Sequence, residues 1–376
     1  MTAILIIGIF EALFLSGLIL AKNNKSKPDF ILLTTLIVMA STIIASYMEQ
    51  YNLRNNFPYP FFIHISPPLI FLHGPLLWFY IKSLTTKKFS IKPIHLLHLL
   101  PFITALTNMY FFSYRLSAAE RINSFASEEF RNSPAYPAVI AGIALFSQGY
   151  FIWGLVLIRN YRKRIKQFFS AVENKDLKWL KFILVSAIFT YALNSTIFIA
   201  DFTFDLFSYQ SMQLSTFIIG ALYILAMGFY GVQQTDVFRS IPSEIKLSKT
   251  PARQEINNLN SGDEKFIRQL INYFESEKPY LSPDINISAL SKQLDVAPEY
   301  LSGILNHQLS KSFFDFINQY RVEEFKQQCR LPKNKNLSII GIAYNSGFNS
   351  KATFNRVFKN QTGSTPSAWL QTVSEK

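Results

Sequence analysis

The chain has 376 residues, of which 49% are hydrophobic, 15% aromatic and only 16% charged, and its mean hydropathy is positive. With 36 Phe and 18 Tyr, this composition excludes a single ordinary soluble globule, because one folded core cannot hide so much apolar surface. The net charge of +13 suits both cytoplasmic membrane flanks and nucleic acid. A lone cysteine, Cys329, excludes an intrachain disulfide and a thiolate zinc cage, so we expect it to act as a buried small hydrophobe.

Seven apolar runs in the first 232 residues are typical of membrane-spanning helices, which need about 20 consecutive apolar residues. The runs are residues 2–21, 30–48, 66–81, 93–112, 138–158, 182–200 and 213–232. The third run is the weakest, because three prolines and Gly74 interrupt it, and the fourth carries Pro101. No Lys or Arg precedes the first run, and it is longer than the usual apolar part of a signal peptide, so it is predicted to be a retained helix.

Lys and Arg are unevenly distributed among the loops between these runs. The loops after the first, third and fifth runs hold 15 of these cations, and the loops after the second, fourth and sixth hold 4. Since cytoplasmic loops retain cations, we predict an inner-membrane protein with its N-terminus outside and everything after Val232 in the cytoplasm. A re-entrant pair at runs three and four would preserve this topology, whereas the failure of just one of them to cross would not.

Three features of the predicted membrane half are candidates for a function. Glu11 lies within the first run, where an ionisable group is costly, so it is a candidate for signal sensing, with structural pairing or a place near the outer surface as the alternative. The cationic stretch from Arg159 to Lys166 is predicted to anchor the topology rather than to contact DNA. A metal needs three or four converging ligands, so we expect the histidines at helix interfaces and predict no metal site and no cofactor. These histidines are His64, His73, His95 and His98.

After the last run the chain becomes polar, and residues 233–263 are predicted to form a cytoplasmic linker. From Glu264 onward, apolar residues recur at intervals of three and four, which predicts an amphipathic helix that ends before Pro279. No strand alternation appears in the tail. The predicted fold class is therefore all-α, with a multi-span domain at 1–232 and a helical domain at 264–376.

Two stretches of the tail have the pattern of a helix, a tight turn and a second helix. The first covers residues 287–307, with Pro298 opening its second helix. The second covers residues 337–361, where Gly347 supplies the turn, Phe348 plugs the core and Asn349 is expected to cap the second helix. Such a pair presents its second helix to the DNA major groove, which is about 12 Å wide. Two pairs joined by a helix from Phe313 to about Gln328 could reach successive turns of one duplex.

Polar side chains on the outer faces of the two second helices are the predicted DNA-binding residues. They are Tyr300, Ser302, Asn306 and His307 in the first, and Lys351, Thr353, Asn355, Arg356 and Lys359 in the second. The tail carries a net charge of only +4, so affinity must depend on where its cations lie. Further phosphate candidates are Lys311, Arg321, Lys326, Lys333 and Lys335.

From about Lys278 to Leu370, a quarter of the chain, the sequence resembles the AraC-type family of bacterial transcription regulators. The resemblance rests on KPYL from Lys278, SALSKQL, APEYLSGIL, FINQYRVEE from Phe316 and IIGIAYNSGFNSKATFNRVFKNQTGSTPSAW. It implies a seven-helix domain of two helix-turn-helix units that binds DNA and controls transcription. Multi-span segments before such a tail resemble a membrane-anchored group of these regulators.

This chain departs from the family pattern in its first unit. Ala297 stands where a Ser often caps the first reading helix, Ser310 replaces the usual glycine after it, and Gly303 lies inside it. Each of the Ala297 and Gly303 departures costs about 1 kcal/mol. We therefore expect the second unit, through Lys351, Asn355 and Arg356, to make most DNA contacts, although in many family members the first unit reads bases.

Two functional classes follow from the sequence. The preferred one is a membrane-bound one-component transcription regulator and not an enzyme, with double-stranded DNA, the bilayer, a signal ligand, a homodimeric copy and, for an activator, RNA polymerase as partners. The alternative is a membrane transporter or enzyme with a regulatory DNA-binding tail. Against it, the sequence has no HExxH or GxSxG motif and few charges inside its apolar runs.

Overall fold

A computed structural model of the chain describes residues 2–86, 89–130, 132–133, 135–173, 175–204, 216, 218–226, 229 and 261–374. The described residues are helical, apart from turns and one isolated antiparallel bridge between Phe169 and Asn286, which confirms the all-α prediction for this part of the chain. The chain divides into two compact units. The first comprises Met1–Arg159 and Leu177–Ile241, and the second comprises Asn160–Asp176 and Pro242–Lys376.

The first unit is built from helices, most of them long and apolar. They are α1 (Thr2–Ala21), α2 (Lys27–Arg54), α3 (Ser66–Thr85), α4 (Leu100–Met109), α5 (Ala118–Ala126), α6 (Ala135–Ile165) and α7 (Lys178–Phe204). The last residues of α6 already belong to the second unit. The start of α2 shows how the sequence fixes a helix end, because the Asp29 carboxylate accepts hydrogen bonds from the Ser26 amide and hydroxyl, each at 2.6 Å.

Four helical stretches in the described part of the chain are long and apolar enough to cross a membrane, fewer than the seven predicted. They are Lys27–Arg54, Pro93–Tyr114, Tyr136–Ile165 and Lys178–Phe204. The first predicted run forms the apolar helix α1, Thr2–Ala21, which is not counted among the four. The third forms α3 but is not among the four, because its prolines, His73, Gly74 and Lys82 dilute its hydropathy. The seventh run, residues 213–232, is described only in part, and its residues 218–226 are helical.

The fourth predicted run is helical but irregular. It begins with a 3-10 segment, Pro93–Leu99, continues as α4 and ends in a π-helical turn, Tyr110–Tyr114. Pro101 lies in the first turn of α4, where its missing amide hydrogen leaves no intrahelical bond unmade.

The second unit contains short helices around two apolar cores. They are α8 (Ser261–Ser276), α9 (Ile287–Gln293), α10 (Pro298–Gly303), α11 (Phe313–Arg330), α12 (Ile339–Asn345), α13 (Lys351–Thr362) and α14 (Pro366–Ser374). The predicted amphipathic stripe is confirmed by the burial of Phe266, Leu270 and Phe274 on one face of α8. Residues 261–263, predicted as the end of the linker, belong to this helix, and the rest of the linker lies outside the described residues.

Candidate nucleic-acid interface

The first helix-turn-helix pair consists of α9 and α10. The Asn286 side chain caps α9 by accepting a bond from the Ala289 amide at 3.0 Å. Asp295 makes the turn with a left-handed φ of +53°. Leu290 and Leu301, one from each helix, are fully buried in the same core and fix the crossing of the pair.

The predicted weakness of the first reading helix has a structural counterpart. Ala297 occupies the N-cap position of α10 without a side-chain bond. The helix is regular only through Gly303 and continues as a π-helical turn, Ile304–Gln308, a geometry that is rare in proteins. Ser310, at the position of the family's glycine, has a left-handed φ of +52°, so the departure places an L-residue in a conformation that favours glycine.

The predicted contact residues of the first unit are partly used inside the protein. The Tyr300 hydroxyl donates to Asp263 Oδ1 at 2.8 Å, and burial together with this acidic partner raises the pKa of Tyr300. Asn306 Nδ2 donates to the carbonyl and hydroxyl oxygens of Ser302, at 2.8 and 3.1 Å. His307 is exposed, and Ser302 is half-buried. Of these four residues, His307 is therefore the least engaged by the surrounding fold.

The second pair, α12 and α13, is anchored at both helix starts. Ser338 caps α12 by accepting a bond from the Gly341 amide at 3.0 Å. Gly347 turns the chain with a φ of +90°, and Phe348 fills the core edge-on to Phe354, as predicted. The cap of α13 is Ser350 rather than the predicted Asn349, because Ser350 Oγ accepts from the Thr353 amide at 3.3 Å. Asn349 instead donates to Asp284 Oδ1 at 3.3 Å.

The outward face of α13 carries most of the predicted cations. Lys351, Asn355, Arg356 and Lys359 are exposed, and they lie on the side of the helix away from its core residues. Thr353 is a correction, because only 5% of it is exposed. It lies four residues before the buried Val357 and so shares its face. Ala352, predicted to face inward, is exposed.

Several of the further phosphate candidates are engaged elsewhere. Arg321 is 1% exposed, and its Nε and Nη2 donate to the carbonyls of Tyr280 and Ser282, both at 2.8 Å. Burial lowers the pKa of Arg321 to about 10. Lys326 pairs with Glu323 at 2.8 Å. Arg321 is therefore a structural residue rather than a phosphate contact, while Lys333 and Lys335 remain exposed.

The helix α11 joins the two pairs, as predicted, through both apolar cores. Its first half places Phe316 at 5.0 Å from Phe274 in the first core, and its second half places Phe325 at 4.7 Å from Phe354 in the second. With 18 residues it is about 27 Å long. At its start, the guanidinium of Arg356 lies over the Phe314 ring at 5.5 Å.

The candidate residues Glu11, His73 and His98 lie on helices of the first unit. Glu11 is half-buried in the middle of α1. The His98 ring bonds the Tyr150 hydroxyl at 2.6 Å, and the His73 ring bonds the Thr42 hydroxyl at 3.0 Å. Within the described ranges, no group of three or more His, Cys, Asp or Glu residues could hold a metal ion. Cys329 is half-buried, and burial raises the pKa of its thiol to about 11.

Two contacts of the second unit were missed by the sequence analysis. One is the bond from Tyr300 to Asp263, since Asp263 was assigned to the linker. The other is the packing of residues 166–171 against this unit, which includes the bond from the Ser170 hydroxyl to the Ile285 carbonyl at 2.7 Å. Partners more than 100 residues apart leave no periodic signal in the sequence. Lys278, Tyr280 and Glu324 all lie in the segments that carry the family resemblance, but the sequence does not predict that Lys278 and Tyr280 bond the Glu324 carboxylate.

A comparison with known families bears on this geometry. A family described as a helix-turn-helix domain matches residues 290–372, from within α9 to within α14. Comparisons with curated proteins and with solved structures found no match. The matched range contains both reading helices and the helix α11 that joins them. The C-terminal part of the chain therefore contains a helix-turn-helix domain of the AraC type, a kind of domain found in DNA-binding transcription regulators.

Proposed function

We propose that this protein is a membrane-bound, one-component transcription regulator whose C-terminal domain binds specific DNA sequences from the cytoplasmic side. The observation that carries the proposal is the exposed face of α13. This face carries the cations Lys351, Arg356 and Lys359 and the side-chain amide of Asn355. The helix is capped at its start and packs against α11. Such a face, at the second helix of a helix-turn-helix pair, has the chemistry and the support that major-groove recognition requires.

We assign different roles to the exposed residues of α13. Lys351 and Lys359, near its two ends, bind phosphates, since Lys acts as a point charge. Asn355 and Arg356 lie between them and read base edges, as amide and guanidinium groups do in bidentate contacts. Thr353, which is buried, is left out of the proposed contacts. The first unit adds contacts through His307, Tyr300, Ser302 and Asn306, and its reading helix carries no Lys or Arg.

The membrane part of the proposal is supported by the apolar helices and by the loop charges. Four helices have the length and hydropathy of membrane spans, and the cations of the first 232 residues concentrate in alternate loops. We propose that this half anchors the protein in the inner membrane with the C-terminus inside, and that it senses a signal. Glu11 is the proposed sensing residue, and a homodimeric copy and, for an activator, RNA polymerase are the proposed protein partners.

The test uses the full-length protein in lipid nanodiscs and duplexes selected by it from a randomised 30-base-pair pool. The Lys351→Ala, Arg356→Ala double variant should bind the selected duplex at least about 10-fold more weakly and with a shallower salt dependence, because one phosphate and one base contact are lost. The matched control, Lys265→Ala with Arg268→Ala, removes the same charges from exposed positions of α8 and should bind nearly as the wild type. Equal losses in both variants, or salt-independent binding by all three proteins, would contradict the proposal.

A further inference from the structure

A short segment far from the helix-turn-helix domain in sequence is built into the second unit. This segment, Lys166–Ala171, is called the strap below. It follows directly on Ile165, the last residue of α6, and the second unit includes it. The sequence predicted only that the cations ending at Lys166 mark the cytoplasmic face of the membrane.

The backbone of the strap caps two helices of the DNA-binding domain. The Ile287 amide, at the start of α9, donates to the carbonyl of Phe168 at 2.9 Å. The Phe314 amide, in the first turn of α11, donates to the carbonyl of Lys166 at 2.9 Å. Amides in a first helical turn have no acceptor inside their own helix, so the strap supplies acceptors that these helices cannot provide for themselves.

Ser170 connects the strap to buried polar groups of the same domain. Its hydroxyl donates to the Ile285 carbonyl at 2.7 Å, and its carbonyl accepts from Asn318 Nδ2 at 3.0 Å. Arg321 Nη2 donates to the Ser170 hydroxyl at 3.3 Å. Ser170, Asn318 and Arg321 are all buried, and a buried polar group that loses its partner costs about 1–3 kcal/mol. The fold of this domain is therefore incomplete without the strap.

The apolar side of the strap completes the first core and approaches the second reading helix. Phe168 packs against the core of α8, α9 and α11, and Phe169 is buried. The ammonium of Lys166 lies over the Phe314 ring at 5.2 Å, and the guanidinium of Arg356 on α13 lies over the same ring at 5.5 Å. One aromatic ring thus contacts both the strap and a proposed base-reading residue.

The strap supports the reading surface without covering it. Its hydrogen bonds go to the starts of α9 and α11 and to the interior of α11. Lys351, Asn355 and Lys359 on the outer face of α13 remain exposed. A segment that blocked DNA would have to lie over these side chains, so the geometry favours a supporting role.

We infer that the strap is an integral part of the DNA-binding domain, and that its docking holds the two helix-turn-helix pairs in the arrangement that binds DNA. The strap follows Ile165 of α6 directly in the sequence, so the acceptors for α9 and α11 lie within three residues of the end of that helix. The statement about DNA rests on the proposed function, whereas the statement about docking does not.

Docking is tested by hydrogen exchange on the full-length protein in lipid nanodiscs. The amides of Ile287 and Phe314 should exchange slowly in the wild type, and at least about 10-fold faster in the Phe168→Ala, Ser170→Ala variant, because their acceptors are no longer held in place. The control, Lys163→Ala with Gln167→Ala, changes two neighbouring side chains that contribute none of the bonds described above, and it should exchange as the wild type does. If the double variant does not fold, Ser170→Ala alone serves the same comparison, with an expected change of about threefold.

The same proteins are then compared for binding to the selected duplex. Faster exchange together with at least about fivefold weaker DNA binding supports the inference. Unchanged exchange in the variants, or rapid exchange at Ile287 and Phe314 in the wild type, overturns docking. Faster exchange with tighter DNA binding overturns the supporting role and assigns the strap an inhibitory one. If the wild type shows slow exchange at Ile287 and Phe314 but binds no duplex, the proposed function is wrong and the inferred docking of the strap still holds.

Discussion

Gly347 lies against the main chain of Tyr280, so that the turn of the second helix-turn-helix pair rests on the segment that precedes the first. A Cβ added at Gly347 would fall on the carbonyl oxygen of Tyr280 and within 3.0 Å of Leu281 Cα and Arg321 Nε. The same carbonyl accepts the bond from Arg321 Nε. The φ of +90° at Gly347 is also a conformation that L-residues rarely adopt.

Gly347→Ala should therefore lower the local free energy of unfolding of α12 and α13 by about 3 kcal/mol or more, since strain and overpacking add. Hydrogen exchange of these helices in the full-length protein measures the change. Gly363→Ala is the matched control, because Gly363 also has a positive φ, of +79°, but has open space around its Cβ position. A loss of about 1 kcal/mol is expected there, and equal losses at both positions would show that the contact with Tyr280 is unimportant.

Ser310 has a left-handed φ of +52° after the first reading helix. Ser310→Gly should stabilise this helix by about 1 kcal/mol, because glycine adopts that conformation without the steric cost of a Cβ. Slower hydrogen exchange in α10 is the expected readout. Ser367→Gly, at an exposed position inside α14, should instead be destabilising by about 1 kcal/mol. Faster exchange in α10 of the Ser310 variant would contradict the prediction.

Ala297 has an extended backbone conformation at the N-cap of α10, with φ of −68° and ψ of 139°, but no side-chain acceptor. Ala297→Ser should stabilise α10 by about 1 kcal/mol through a bond to a first-turn amide. The reciprocal control is Ser338→Ala at the start of α12, which removes an existing cap and should cost about the same amount. Both changes are measured by the protection of the helix concerned from hydrogen exchange. If Ala297→Ser gives α10 no added protection, the missing cap does not limit the stability of this helix.

Glu324 is a buried carboxylate that accepts bonds from Lys278, Tyr280 and Gln328 at 3.0, 3.1 and 2.6 Å. Burial alone raises the pKa of Glu324, but the bonds from Gln328, Lys278 and Tyr280 and the charge of Lys278 outweigh it and lower the pKa below its usual value of 4.5. A carboxyl whose folded pKa is depressed contributes stability that is present above its unfolded pKa and is lost as the pH falls through the folded value.

The stability of α11 should therefore fall as the pH drops from about 5 towards 3. Glu324→Gln should lower this stability by about 1–3 kcal/mol at neutral pH and flatten its pH dependence, because the charged hydrogen bonds are lost. Glu323→Gln removes an exposed partner of Lys326 and should change little. Pulse proteolysis across this pH range provides the measurement, and an unaltered slope in Glu324→Gln would assign the acid sensitivity to another group.

The sequence predicted those features whose causes lie within a few residues. The stripe of α8, the turn at Gly347 and the plug at Phe348 follow from local periodicity and backbone preference, whereas the unusual position of Ser310 is implied by the family resemblance. Thr353 was placed outward because it is polar, although its spacing from Val357 puts it on the inner face. Arg321 was assigned to phosphate because a cation was expected outside, but its partners are carbonyls about 40 residues earlier in the chain. Such partners are visible only once the chain is folded.

The caps that the strap supplies have a consequence for exchanging domains between proteins. The helices of the DNA-binding domain and two of the acceptors that close their first turns are encoded in separate stretches of the gene, with α7 between them. Grafting residues 261–374 onto another protein would transfer the reading helices but leave the amides of Ile287 and Phe314 without their native acceptors. A functional chimera should therefore carry Lys166–Ala171 as well.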